Sequence, residues 1–360
     1  MAVPLQKQIQ ALPTYNGGKR RLLPWIGSTL TVACPQSTWN QLTFIDLFGG
    51  GGAVSLWAKA QGFKEVISND ISLRSQILAE AYLTNSRIRL SREDAILLTQ
   101  PLSETSGWIE QQYCPQVFST RHARVLDQGF HWARQQPDPT KRALLLTMMW
   151  HLANDFVAFS TSLGSSNRPF AEALDGLRAW DSLNPKRFTD GSLKRLCEPA
   201  WSRLEEKRRL VNGGVLGGSP VQIFQEDALL LLPKLHGDVL YLDPPYAGTV
   251  SYERSNQVLD ALLTGELPSV NPPISAFSKT TEMLGTLLAA ANHIPIWLLS
   301  YGNRQLSLEA LKDLVSEYAG DRIVEGFAKR YQHFSHVSKN DNNQEFLVLA
   351  YPKGGIIPCL

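Results

Sequence analysis

Phe44-Ile45-Asp46-Leu47-Phe48-Gly49-Gly50-Gly51-Gly52-Ala53-Val54-Ser55 decides the fold class of this 360-residue chain. An apolar strand runs straight into four glycines, and a helix follows over 53–61. Glycine lets backbone approach a ligand closely and accepts φ > 0 in a tight turn. Gly49 and Gly51 have the spacing of a nucleotide-binding turn. A flexible linker is the plain alternative, but linkers seldom join a buried strand directly to an apolar-faced helix. A dinucleotide fold is the other; it lacks its third glycine, because position 54 is Val.

Working outward, the next strand, Glu65-Val66-Ile67-Ser68, ends at Asn69-Asp70. Asp70 lies roughly 20 residues beyond the glycines, the distance at which an acid accepts from ribose hydroxyls. A surface carboxylate at a strand end is the plain alternative. Upstream, Tyr15-Asn16-Gly17-Gly18-Lys19-Arg20 contains Gly-Gly-Lys, yet the phosphate-loop spacing is absent and Arg20 stands where Ser or Thr should be.

Farther on, Val239 to Leu242 is a short apolar run that ends at Asp243-Pro244-Pro245-Tyr246. Two prolines fix φ and supply no N–H, so the strand stops and the backbone stiffens. One carboxylate, bare backbone carbonyls at Pro244 and Pro245, and one aromatic ring are thus presented at a strand's carboxyl end. Open α/β sheets bind ligands there. The set suits a flat base with an exocyclic amine: the carboxylate and carbonyls accept from N–H groups, and the ring stacks. An ordinary Pro-Pro turn is the plain alternative.

These segments together resemble the Dam-like, alpha-group DNA adenine-N6 methyltransferases. In that family Gly-Gly-Lys comes first, then Asp-x-Phe-x-Gly-x-Gly, an acidic ribose ligand, an inserted target-recognition domain, and Asp-Pro-Pro-Tyr last. The resemblance covers roughly 12–85 and 220–352. In the insert it is limited to Asn154 and the polar stretch 159–170. It implies S-adenosylmethionine as cofactor and double-stranded DNA as partner. It also implies that Tyr15, Lys19, Asp46 and Phe48 line the cofactor's methionine end, with Gly49 and Gly51 beneath it and Asp70 on its ribose. Asp243, Pro244 and Tyr246 become catalytic and Pro245 a substrate contact. Asn154, Ser162, Asn167 and Arg168 become DNA contacts.

One ambiguity concerns the cofactor's adenine. Glu93-Asp94-Ala95 and Glu226-Asp227-Ala228 are near copies. Asp227 is favoured, because Val221-Gln222-Ile223-Phe224 before it is the better strand; helix N-capping accounts equally for both aspartates.

Composition is compatible with this resemblance. Net charge is only +2. Residues 86–220 carry 18 of the Lys and Arg side chains and a basic excess, whereas acid predominates elsewhere. That is where phosphate contacts would be expected. The run Arg203–Arg209 has internal i,i+4 pairing and reads mainly as a solvated helix face. Four cysteines, far apart and without C-x-x-C spacing, argue against a zinc site or a disulfide scaffold. No bound metal is expected. Met1 to Gln10 lacks a signal-length apolar core, and no apolar run approaches the roughly 20 residues of a membrane span. A cytoplasmic protein is expected, serving a restriction, defence or regulatory system.

Strands are expected at 43–48, 65–69, 221–224, 238–242, 294–300, 321–327 and 345–351. Helices fall at 53–61, 72–84 and 306–318. The fold class expected is a doubly wound, mostly parallel seven-stranded methyltransferase sheet. The helix-free step between the last two strands makes an antiparallel hairpin. Residues 1–85 and 221–360 form the catalytic domain; 86–220, too long for a connection, form a mainly helical insert. The insert has helices at 117–135, 140–158 and near 193–211, and a return linker at 212–220. Rival functions are methyl transfer to cytosine N4, RNA adenine or glutamine, a non-catalytic DNA-binding subunit, and a nicotinamide oxidoreductase.

Overall fold

The computed structural model describes residues 8–15, 17–102, 107–157, 196, 198–245, 252–267, 280–330 and 343–354. The chain divides into two compact units. One comprises Gly17–Ala79, Gly217–Ser251 and Asn271–Leu360; the other comprises Met1–Asn16, Glu80–Leu216 and Tyr252–Val270. Residues 8–15 and the helix Tyr252–Thr264, expected with the catalytic part, group with the insert.

The first unit holds a seven-stranded sheet: β1 (Thr43–Asp46), β2 (Glu65–Asn69), β3 (Val221–Phe224), β4 (Val239–Leu242), β5 (Ile296–Gly302), β6 (Ile323–Arg330) and β7 (Gln344–Tyr351). Their spatial order is β3-β2-β1-β4-β5-β7-β6. β3, β2, β1, β4 and β5 are joined by parallel pairings, and β7 runs antiparallel to both β5 and β6. The expected hairpin is present, but its second strand slots inside the first, so β6 forms the edge. β1, β4 and β5 are buried along their whole length, which is why they read as apolar runs rather than as alternating patterns. The order of connections reverses between β1 and β4, and the carboxyl ends of those two strands border the crevice where such sheets bind ligands.

Alternate residues of each strand feed opposite faces. Ile45, Leu240, Leu242, Trp297, Leu299 and Val348 pack with leucines of the helices Thr280–Ala290 and Leu308–Ala319. Phe44 turns the other way and meets Trp57 and Phe63 at ring-centroid distances of 6.0 and 5.0 Å, while Trp39 stacks on Phe63 at 4.9 Å. Trp57 comes from the helix Ala53–Gln61, so this aromatic cluster fixes the helix that follows the glycine turn.

The turn itself uses its glycines differently from the expected spacing. Gly50 and Gly52 adopt positive φ, at 48° and 74°. Gly49 is needed for proximity: its N–H donates to the Asn69 carbonyl at 2.7 Å, and a Cβ there would lie 2.7 Å from Ser68 Oγ.

The other unit is helical among its described residues. The helices Thr120–Gln135 and Pro139–Asp155 begin with side-chain caps from Ser119 and Asp138. The helix expected near 193–211 runs over Leu204–Gly213, taking in the first two residues of the expected linker. Asn212 explains the extension: it accepts from Leu90 N–H at 2.8 Å and donates to Leu90 carbonyl at 2.9 Å, which holds the last turn in place. The Arg203–Arg209 run is only partly a solvated face. Arg208 and Arg209 pair with Glu205, but Arg203 and Lys207 reach inward to Asp155 at 3.2 and 2.5 Å. The expected 72–84 helix is a shorter helix, Leu73–Leu78, followed by one wide π turn over Ala79–Leu83.

Gly49→Ala tests the close approach. It should lower the unfolding free energy by about 1–3 kcal/mol, the usual cost of forcing extra volume into a packed site. Denaturant unfolding would read this, and an unchanged midpoint would contradict the tight packing of the turn on β2.

Candidate active site

Asp46 closes β1 and Asp243 follows β4, the neighbouring strand across the switch point. Asp46 is 1% exposed. Its Oδ2 accepts from Ser55 Oγ at 2.6 Å, and Ser55 Oγ also lies 2.9 Å from Ser68 Oγ. Its Oδ1 is buried with no hydrogen-bond partner. Burial pushes this carboxyl up to about 7, the Ser55 hydrogen bond opposes the rise, and the negative charges of Asp243 and Asp70 add to it. A buried carboxylate with an unsatisfied oxygen is poised to receive a cation or N–H donor, because an unpaired polar group is costly there.

Asp243 carries an ion pair. Lys19 Nζ lies 2.9 Å from Asp243 Oδ1 and 3.1 Å from Glu345 Oε1. Lys19 is 5% exposed and Glu345 is fully buried. Ser300 on β5 donates its hydroxyl to Glu345 Oε1 at 2.8 Å. One ammonium thus serves the fully buried Glu345 carboxylate and the part-buried Asp243 carboxylate. Burial pushes the Asp243 carboxyl up to about 6; Lys19 pulls it down and Glu345 pushes it up. Pro244 is buried and Pro245 half-buried behind the carboxylate. The Tyr241 hydroxyl on β4 is buried, and burial holds its proton on above the ordinary phenol range.

The acids after β2 and β3 are engaged by their own turns. Asp70 Oδ2 accepts from Gly50 N–H at 2.8 Å, and Oδ1 accepts from Ser72 N–H and Oγ at 2.9 and 2.6 Å. Asp70 therefore clamps the glycine turn to the end of β2. Asp227 follows β3 and caps the helix Ala228–Leu231 by accepting from Leu229 N–H at 2.8 Å. Asp94 closes no strand: it completes a capping box with Ser91 and pairs with Lys141 at 2.9 Å. Of the two near copies, Asp227 is the one that follows a strand of the sheet.

Phe48 is half-buried against the sheet's core, and Gly51 is buried within the turn. Tyr15 and Asn154 belong to the other unit, where Asn154 Oδ1 is buried without a hydrogen-bond partner. Tyr246, Ser162, Asn167 and Arg168 lie outside the described residues. Sequence reasoning missed Glu345, Ser300, Ser55 and Asn69. Asn69 donates to the Leu47 and Glu226 carbonyls and accepts from Glu226 N–H, tying together the ends of three strands. The available signal for Glu345 was an acid opening an otherwise apolar strand.

The raised Asp46 carboxyl gives a stability prediction. Its ordinary value is 3.8 and its folded value about 7, so the native state holds a proton that the unfolded chain releases between those limits. Stability contributed by this group therefore falls as pH rises through that window, and the penalty is complete above it. In the ligand-free protein, Asp46→Asn should stabilise more at pH about 8 than at pH about 5. Denaturant unfolding at both values measures this; equal effects would contradict the burial-raised carboxyl.

Comparison with known proteins agrees with this layout. A family model of the D12 class N6 adenine-specific DNA methyltransferases matches residues 15–266. The chain is 26% identical over 301 residues to the type II methyltransferase M2.HphI of Haemophilus parahaemolyticus, covering 80% of this chain and 82% of that protein. It is 27% identical over 244 residues to the type II methyltransferase M.NlaIII of Neisseria lactamica, covering 64% of each. With the modification methylase StsI of Streptococcus sanguinis it shares 24% over 369 residues, which is 94% of this chain and about half, 51%, of that protein. The family match spans more than half of the sequence, from before Lys19 to beyond Asp243, and the chain belongs to the D12 class of N6 adenine-specific DNA methyltransferases.

Proposed function

We propose that this chain transfers a methyl group to the N6 amine of an adenine turned out of duplex DNA, at a specific site, as the modification arm of a restriction system. The observation that carries this reading is the parallel pairing of β1 with β4, which sets Asp46 at the end of one strand beside the Asp243-Pro244-Pro245 segment that follows the other, at the switch point of the sheet. S-adenosylmethionine, when bound, supplies the electrophilic methyl group.

The residues present fit that group. The buried Asp46 Oδ1 needs a positive or N–H-bearing partner, and an amino-acid ammonium is one. Binding a cation there would favour the ionised carboxylate that burial opposes. The Gly49–Gly52 turn brings bare backbone to the same strand end. Asp70, already ordered by Gly50 and Ser72, has lone-pair capacity left for a hydroxyl. Phe48, Gly51 and Tyr15 belong to this surface in the reading, and Asp227 serves an adenine amine at the end of β3.

The chemistry required of the protein is modest. An adenine amine is a weak nucleophile, because its lone pair is delocalised into the ring. Asp243 and the Pro244 carbonyl accept its two hydrogens, draw the nitrogen toward tetrahedral geometry, and stabilise the positive charge that grows on it. Lys19 holds the Asp243 carboxylate in place at 2.9 Å. Tyr246 stacks on the extruded base with Pro245 beside it, and removing the base from the helix costs a few kcal/mol. Asn154, Ser162, Asn167 and Arg168 contact DNA from the helical unit, which carries the basic excess. Cys34 and Cys114 are free thiols, as a reducing, cytoplasmic setting would keep them.

Two outcomes test this function. Asp243→Ala should lower the single-turnover methylation rate by about two to three orders of magnitude, on the order of 3–4 kcal/mol, with the loss in kcat. A near-normal rate would overturn the catalytic assignment. Exchanging residues 86–220 for the equivalent segment of a relative should change the methylated DNA sequence while adenine remains the modified base. An unchanged site would place specificity elsewhere.

A further inference from the structure

Glu345 is a fully buried acid on β7, and its sequence separation from the Asp-Pro-Pro motif hides its proximity to it. Its Oε1 lies 3.1 Å from Lys19 Nζ, the same ammonium that sits 2.9 Å from Asp243 Oδ1. Ser300 on the adjacent strand β5 holds that oxygen at 2.8 Å, and Ser300 is cross-strand to Leu347 in the same antiparallel ladder. A buried acid has a large desolvation cost, so its retention inside an apolar strand calls for a partner or a task. Lys19 satisfies the partner requirement. It does so while shared with a carboxylate that the reaction requires to stay electron-rich.

Among the described residues, four charged or titratable groups act on Asp243. Lys19 comes from the segment before the helix Leu23–Ala33, Asp46 from β1, Tyr241 from β4 and Glu345 from β7. Among Lys19, Asp243 and Glu345 the formal charge with both carboxylates ionised is one negative unit. Without Glu345 the Asp243 carboxylate would take a larger share of the ammonium and be more fully neutralised. An acceptor so neutralised takes an amine hydrogen less strongly, in line with the dependence of proton-accepting power on basicity.

We propose that Glu345 is a positioning residue for methyl transfer, which shares the Lys19 ammonium with Asp243 and thereby sets the orientation and accepting strength of the Asp243 carboxylate. This rests on the reading of Asp243 as the acceptor of the adenine amine. Ser300 has the supporting part: its O–H tempers how strongly Glu345 draws on Lys19.

The test is a pH profile of single-turnover methylation with the full chain, S-adenosylmethionine and an adenine-containing duplex. Glu345→Gln keeps the shape of the side chain and removes the charge. It should lower kcat on the order of tenfold, with KM little changed, and move the acid limb of the profile down by about one pH unit. Ser300→Ala should move that limb a smaller distance the other way, because a less tempered Glu345 draws Lys19 farther from Asp243. Opposite shifts in the two variants support the proposal. An unmoved limb in Glu345→Gln overturns it, as does a loss of rate explained wholly by weaker cofactor binding in calorimetry. Should Glu345→Gln fail to fold, the Ser300→Ala limb decides alone: an upward shift supports the proposal and no shift overturns it. Asp243→Asn in the same assay separates the two levels. A normal rate there sinks the assignment of Asp243, whereas a dead Asp243→Asn beside an unmoved Glu345→Gln profile sinks only the role of Glu345.

Discussion

One ammonium set between the buried Glu345 carboxylate and the part-buried Asp243 carboxylate is the constraint on which the site depends. Lys19 bridges Asp243 and Glu345 at 2.9 and 3.1 Å inside the sheet-bearing unit. Buried charges are tolerated only when paired and hydrogen-bonded, and removing one partner typically costs about 3–5 kcal/mol. The bridge links the segment before the first described long helix, the end of β4, and the opening of β7. Parallel pairing of β1 with β4 then brings Asp46 to the adjoining strand end, with one oxygen left to receive a donor. The fold thus concentrates negative charge at the crevice and balances only part of it. That suits the proposed function, in which an ammonium-bearing cofactor and an amine acquiring positive charge would both bring the missing counterpart.

Preorganisation of the neighbouring turns follows the same logic. Asp70 spends three acceptor positions on Gly50 and Ser72, and Asn69 ties the ends of β1, β2 and β3. These bonds hold the glycine turn before any ligand arrives, so less conformational entropy is lost on binding. The helical unit shows a different use of charge. Part of its basic run is consumed by the inward pairs of Arg203 and Lys207 with Asp155, which leaves fewer cations for phosphates than a count of residues suggests.

The central strands β1, β4 and β5 were legible in the sequence because they are buried along their length and read as apolar runs bounded by glycine, proline or acid; the edge strands β3 and β6 are part-exposed and carry weaker patterns. Asp46 and Asp243 were legible for a related reason: each is the first charged residue after such a run. The glycine turn was legible as a whole, but which glycine takes positive φ and which is needed for close approach alternates along it, and only coordinates separate them. Asp227 was favoured over Asp94 because Val221–Phe224 reads as the better strand, and the pairing of that segment with β2 shows it to be a strand of the sheet. Glu345 and Ser300 were illegible, because their place in the site rests on long-range contacts. Nothing near Glu345 in the chain announces Lys19, and their meeting is a product of β7 inserting between β5 and β6.

Nucleoside analysis by mass spectrometry tests the central claim most directly. The purified chain is incubated with S-adenosylmethionine carrying a labelled methyl group and with duplex DNA of mixed sequence, and the DNA is digested to nucleosides. Label recovered in N6-methyladenosine of the deoxy series is the result that this account predicts. Label in N4-methylcytosine, or no label in DNA although the protein binds the cofactor, would contradict it.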